Sequence, residues 1–203
     1  DETTPDTPYD YFFTSVFSVW GWASWRRVAE KWDNEYSFIK DRYAMKQLGA
    51  LARQRKYRPD MIDMFRDHSE TGKEYFETIF WATMLFNSGL AVMPTKNMIN
   101  NVGLTVDSTH YSASFDTMPR RLRRIFTMRR HETDFPLRHP RYVIEDVEYK
   151  ERLYKRNAWG HPWIKIQYSI EELARNLLHG NFGVVAKALT RRVRKWTGKE
   201  KHV

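Results

Sequence analysis

The sequence predicts a helix-rich α/β fold, and three observations carry that prediction. Apolar residues recur at spacings of three and four in several segments, the period of a helix with one buried face. Two short runs, Tyr11 to Val19 and Leu90 to Met93, are instead apolar with turn residues at their ends, the pattern of buried strands. With 203 residues, 41% of them hydrophobic, the chain is long enough to bury a core of its own.

Composition narrows the classes. No window approaches the roughly 18 uninterrupted apolar residues of a spanning helix. The opening DETTPDTPYD has neither a basic nor an apolar region, so a signal peptide is not expected, and the chain reads as the middle of a longer one. With no cysteine, a disulfide scaffold, a thiolate metal site and a cysteine nucleophile are all excluded, which fits a reducing, cytoplasmic setting. The net charge of +9 is uneven: residues 1–100 hold 13 Lys or Arg against 14 Asp or Glu, and residues 101–203 hold 21 against 11. The second half therefore calls for an anionic partner.

In chain order, Asp1 to Asp10 is an acidic, linker-like entry with Pro5 and Pro8. The strand from Tyr11 runs into Trp20-Gly-Trp-Ala-Ser-Trp25, where Gly21 permits a sharp turn and Ser24 is placed to cap a helix over residues 25–32. Three Trp in six residues form either a core corner or a platform for sugar C–H faces. Residues 36–52 and 59–68 read as packing helices, the second with Pro59 near its first turn and Met61, Met64 and Phe65 on one face. The link between them, RQRKYR, is a solvated basic turn.

Residues 74–86 form the central helix, with Phe76, Ile79, Phe80, Met84 and Leu85 on its apolar side. Asn87, Ser88 and Gly89 end it and supply a residue able to take positive φ. Glu77 stands out in this apolar setting: a carboxylate among aromatic rings has a raised pKa and can act as a base, although a Glu beside an apolar stripe also suits a solvent boundary. His110 is the other candidate, as a metal ligand or as a hydrogen-bonded loop residue.

Beyond His110 the character changes. Pro119 to Arg130, PRRLRRIFTMRR, sets six Arg around Leu122, Ile125, Phe126 and Met128, either a solvated face or a phosphate contact. Ser169-Ile-Glu-Glu172 reads as a capping box opening a helix that stops at Gly180. In the last segment Phe182, Val185, Leu189, Val193 and Trp196 share a face, interleaved with Lys and Arg. That composition suits a helix on an anionic bilayer or one packed on the core.

The strand into WGWASW with Arg26-Arg27, the helix with Glu77 ending in Asn87-x-Gly-Leu, Pro94, and Asn100-Asn-Val-Gly-Leu104 up to Thr109-His110 follow a familiar order. Over about Tyr11 to Tyr111 the chain resembles the second half of bacterial nucleotide-diphospho-sugar glycosyltransferases with a GT-A fold, the family-2-like enzymes labelled hemolytic-protein-like or capsular polysaccharide transferases. Their pattern has a WGWATWRRAW-like element, a W-D-x-Q helix ending in N-x-G-L, and a P-x-x-N-L-V-x-N-I-G-F loop leading to A-T-H.

The resemblance implies the acceptor and metal side of such an enzyme over residues 1–118, followed by a basic, largely helical extension over 119–203. Glu77 falls at the Asp of W-D-x-Q, with Phe76 at the Trp and Ile79 at the Gln, and would be the general base. His110 falls at the His of A-T-H and would meet a divalent cation, Mn or Mg, or the diphosphate. Trp20, Gly21, Trp22, Trp25, Asn101, Arg120 and Arg121 would contact substrate. No D-x-D motif occurs in the chain, so either the donor-binding half that holds the cation lies outside it, the chain being a fragment of such an enzyme, or that half is lost and catalysis with it.

The expected partners are a nucleotide-sugar donor and a glycan or lipid-linked acceptor in surface polysaccharide synthesis. The chain would be peripheral on the inner face of the cell membrane. The alternative is a non-catalytic basic module docking on an anionic membrane or nucleic acid. Nucleic acid is disfavoured, because no helix-turn-helix, RNA-recognition or zinc pattern is present.

Overall fold

The computed structural model describes residues 5–101 and 115–196, with side chains described as far as residue 190. The regular elements begin with β1 (Tyr11–Thr14), α1 (Arg26–Ala29), α2 (Arg42–Leu51), α3 (Arg58–Glu70), α4 (Phe76–Phe86) and β2 (Ala91–Pro94). They continue with α5 (Arg120–Arg123), α6 (Val147–Arg156), α7 (Pro162–Leu178) and α8 (Phe182–Trp196), and 3-10 turns cover Ser37–Lys40, Arg55–Tyr57 and Arg124–Thr127. Helix predominates, and among the described residues the sheet has two strands. The chain divides into two compact units, Asp1–Asn101 with Met128–Pro162, and Val102–Thr127 with Trp163–Val203.

In the first unit β1 and β2 pair antiparallel, Tyr11 opposite Pro94 and Thr14 opposite Ala91. The strand expected to reach Val19 ends at Thr14 because its backbone finds other partners there. Val16 N–H donates to Thr14 Oγ1 at 3.1 Å, and Ser15 N–H donates to Glu145 Oε1 at 2.9 Å. Phe12 and Val16 face the core together with Met45 and Leu48 of α2, Met61 and Phe65 of α3, and Ile79 and Ala82 of α4. The helix expected over 36–52 is split: Asp41 adopts an extended conformation and its carboxylate accepts from Tyr43 N–H (2.8 Å) and Ala44 N–H (3.0 Å), so α2 starts there.

α4 stops as its sequence requires, but the positive φ falls on Ser88 (50°) rather than on Gly89. Gly89 N–H donates to Met84 O at 2.8 Å and Ser88 N–H to Leu85 O at 3.3 Å, the pair of bonds that closes a Schellman turn. α6 has no counterpart in the sequence reading. Asp146 caps it by accepting from Tyr149 N–H at 2.7 Å, and Tyr149, Leu153 and Tyr154 fill the core from it. Its charged residues outnumber these three, which hides the apolar period. Beyond α6 the chain turns at Ala158 and Gly160 so that Trp159 stacks on Tyr57 at 5.0 Å between centroids. Burial drives the Tyr57 hydroxyl well above its usual range and pushes that of Tyr154 up to about 12.

The second unit contains α5, α7 from Trp163 onward, and α8. α7 starts at Pro162, so Ser169 to Glu172 lies inside the helix and is not a capping box. Glu171 instead reaches across to α5, where its carboxylate accepts from Arg120 N–H at 2.8 Å, and it pairs with Arg175 at 3.1 Å. Gly180 (φ 73°) closes α7, with Asn181 N–H on Asn176 O at 2.9 Å and Gly180 N–H on Leu177 O at 3.1 Å.

Candidate functional site

Of the residues singled out in the first unit, Trp22 lies against α4, the helix that carries Glu77. Trp22 stacks on Phe80 with centroids 5.2 Å apart and planes at 29°, and Trp32 lies 6.0 Å from both Phe76 and Phe80. These contacts seat the WGWASW turn on the aromatic side of α4, and Phe80 stands three positions after Glu77, one helical turn on. Glu77 occupies the first turn of α4, where open backbone N–H groups and the helix dipole favour a negative charge. It is half-buried.

Gly21 is required by its backbone, with φ 55°, and by its neighbour, since a Cβ there would stand 3.0 Å from Ile99 Cδ1. The turn therefore lies against the 97–101 loop as well as against α4. That loop is held by Asn97, whose side chain donates to Asn100 Oδ1 at 3.0 Å and whose carbonyl accepts from His131 N–H at 2.8 Å. Asn101 is half-buried at its end. Trp20 is half-buried. Trp25 is 56% exposed, with the Arg27 guanidinium 5.0 Å above its ring. Ser24 does not cap α1: Trp25 holds the cap position without a side-chain bond, and Ser24 Oγ is buried without a hydrogen-bond partner. The indole N–H of Trp32 is likewise buried and unpartnered.

Sequence reasoning missed the polar cluster beneath Glu77. Thr78 Oγ1 lies 2.7 Å from Tyr36 Oη and 3.0 Å from His68 Nδ1, and the His68 ring stacks on Tyr75 at 3.8 Å. Burial pushes the Tyr36 hydroxyl up against the opposing effect of the Thr78 hydrogen bond, and the negative charge of Glu77 adds to the rise. Residues 36, 68 and 78 share no period or motif, so nothing in the linear sequence links them.

Arg120 and Arg121 belong to the second unit, Arg120 exposed and Arg121 half-buried. His110 lies outside the described residues. Among the described residues no three His, Asp or Glu side chains converge as a metal-binding group.

No protein-family model, no curated protein and no solved structure matches the chain.

Proposed function

We propose that this chain is the acceptor side of a GT-A glycosyltransferase that moves a sugar from a nucleotide-diphospho-sugar to a glycan or lipid-linked acceptor, with Glu77 as general base. One observation supports it above the others: the WGWASW turn, α4 and the 97–101 loop are distant in sequence yet adjacent in space, through the Trp22–Phe80 stack and the Gly21–Ile99 contact. A half-buried carboxylate on the helix against which Trp22 stacks combines a proton acceptor with a surface that packs on sugar C–H faces.

In an inverting transfer the acceptor hydroxyl gives its proton to Glu77 as its oxygen bonds to the anomeric carbon. The bond from that carbon to the diphosphate oxygen breaks, and its electron pair leaves with the nucleoside diphosphate. A divalent cation, when bound, would offset charge on the departing diphosphate. Trp22 and Trp25 orient the sugar, and Gly21 keeps their turn close to the 97–101 loop.

The test is release of nucleoside diphosphate from a panel of sugar nucleotides by the whole protein that carries this chain. Glu77→Gln is expected to keep donor binding and to lower turnover at least about a hundredfold, the scale of a lost general base. Turnover near that of the parent would remove Glu77 from the role. No release from any donor would leave the non-catalytic reading.

A further inference from the structure

The second unit turns an apolar face outward. Trp163, Ile166, Ile170 and Leu177 recur along α7 at helical spacing and share a stripe about 21 Å long at 1.5 Å per residue. In a helix packed on a core this stripe would be the covered side. Here Trp163 is 76% and Ile170 61% exposed, whereas the only described residue of α7 that is buried is Asn176, at 5%. The most deeply buried position of the helix is thus polar, with Ile164, Tyr168 and Leu173 half-buried around it. Asn176 donates to Glu172 O at 2.9 Å and accepts from Asn181 Nδ2 at 3.2 Å, and Glu171 and Arg175 pair beside it.

The apolar surface continues around the Gly180 turn. Leu178 and Phe182, on either side of it, are 85% and 66% exposed, while Val185 of α8 points inward.

Charge on the same unit is equally lopsided. It holds 13 Lys or Arg against 5 Asp or Glu, whereas the first unit holds 21 against 20. Nearly all of the chain's net charge therefore belongs to the unit that carries this stripe. A nucleic acid would answer the charge but not the stripe, and an apolar protein groove would answer the stripe but not the charge. An anionic bilayer answers both, with an acyl boundary for Trp163, Ile170 and Phe182 and headgroup charge for the Lys and Arg of the same unit. Among the described residues no helix is long and apolar enough to cross a membrane, so the contact is with the surface.

We propose that the outward face of α7 and the α7–α8 corner dock on the surface of an anionic phospholipid bilayer, α7 lying in the plane of the headgroups. This docking is independent of the catalytic reading, since it involves none of the residues around Glu77.

The experiment is co-sedimentation of the full chain with phosphatidylcholine vesicles containing about a quarter phosphatidylglycerol, at low and raised salt. Binding is expected at low salt, to fall at least about tenfold at high salt, and to be absent on pure phosphatidylcholine. Trp163→Ser with Ile170→Asp should lower it at least about tenfold with an unchanged circular dichroism spectrum, because both side chains are exposed. Lys187→Glu, a second and milder variant, should lower it less and flatten the salt dependence. Equal binding to neutral vesicles, or unchanged binding in both variants, would overturn the proposal. So would a concentration-dependent dimer that Ile170→Asp abolishes, which would make the face a contact between copies, or a nucleic-acid gel shift in a chain that ignores vesicles.

Discussion

Gln54 occupies the space that a side chain on Gly160 would need: a Cβ at Gly160 would lie 2.6 Å from Gln54 Cβ, and the Gly160 backbone has φ 70°. The turn after α6 is thus pressed against the segment before α3, and it carries Trp159 onto Tyr57. Gly160→Ala is expected to cost about 2–5 kcal/mol, from left-handed strain plus overpacking. Gly72 has φ 66° but nothing within 4 Å, so Gly72→Ala should cost only about 1–2 kcal/mol, the strain alone. Urea unfolding of both variants measures the difference, and equal losses would remove the steric part.

Ser88 takes the left-handed position that closes α4, a conformation glycine adopts without penalty. Ser88→Gly should stabilise the protein by about 1 kcal/mol and raise Tm by a few degrees. A fall in Tm would mean that the Ser88 side chain contributes more than its backbone costs.

Glu145 links β1 to α6. It accepts from Ser15 N–H and Oγ–H and from Lys150 Nζ at 3.3 Å, and Lys150 also donates to Ser15 Oγ at 2.9 Å. Burial raises its pKa, but the bonds from Ser15 and Lys150 outweigh this and hold it below the ordinary 4.5. The unfolded chain therefore binds this proton more readily than the folded one. The stabilisation is present above pH 4.5 and is lost as pH falls through the folded value. Glu145→Gln should lower stability at neutral pH by about 1–3 kcal/mol and flatten the acid side of the stability curve. An unchanged acid limb in that variant would assign the pH dependence to other carboxylates.

Ser24 separates two accounts of the WGWASW turn. Were its hydroxyl a helix cap, Ser24→Ala would cost about 1 kcal/mol. Because Ser24 Oγ is buried without a partner, removing it should be neutral or stabilising by about 1 kcal/mol in thermal unfolding.

The parts of this fold legible in the sequence are those governed by neighbours within a few positions. The β1 and β2 runs, the α3 face with Met61 and Phe65, the Gly180 stop and the Gly21 turn all follow from local period or backbone freedom. α6 was hidden because Glu148, Lys150, Glu151, Arg152, Lys155 and Arg156 outnumber the three side chains it buries. The end of β1 was also hidden, since it depends on Glu145, 130 residues from Ser15. Around the candidate site the sequence supplied Glu77, Gly21 and the tryptophans, while the Thr78, Tyr36 and His68 cluster required the chain to be folded.

For α3, α4 and α8 the sequence by itself determined the period and the residues that share a stripe, and for α4 and α7 it determined the stop. Only the tertiary structure decided what each stripe faces. Phe65 and Met61 turn their stripe into a core, whereas Ile170 and Trp163 keep theirs outside and Asn176 turns inward. A period is set by 3.6 residues per turn in any surroundings, but burial depends on which distant segments arrive to cover a face, and that is decided by packing across the whole chain.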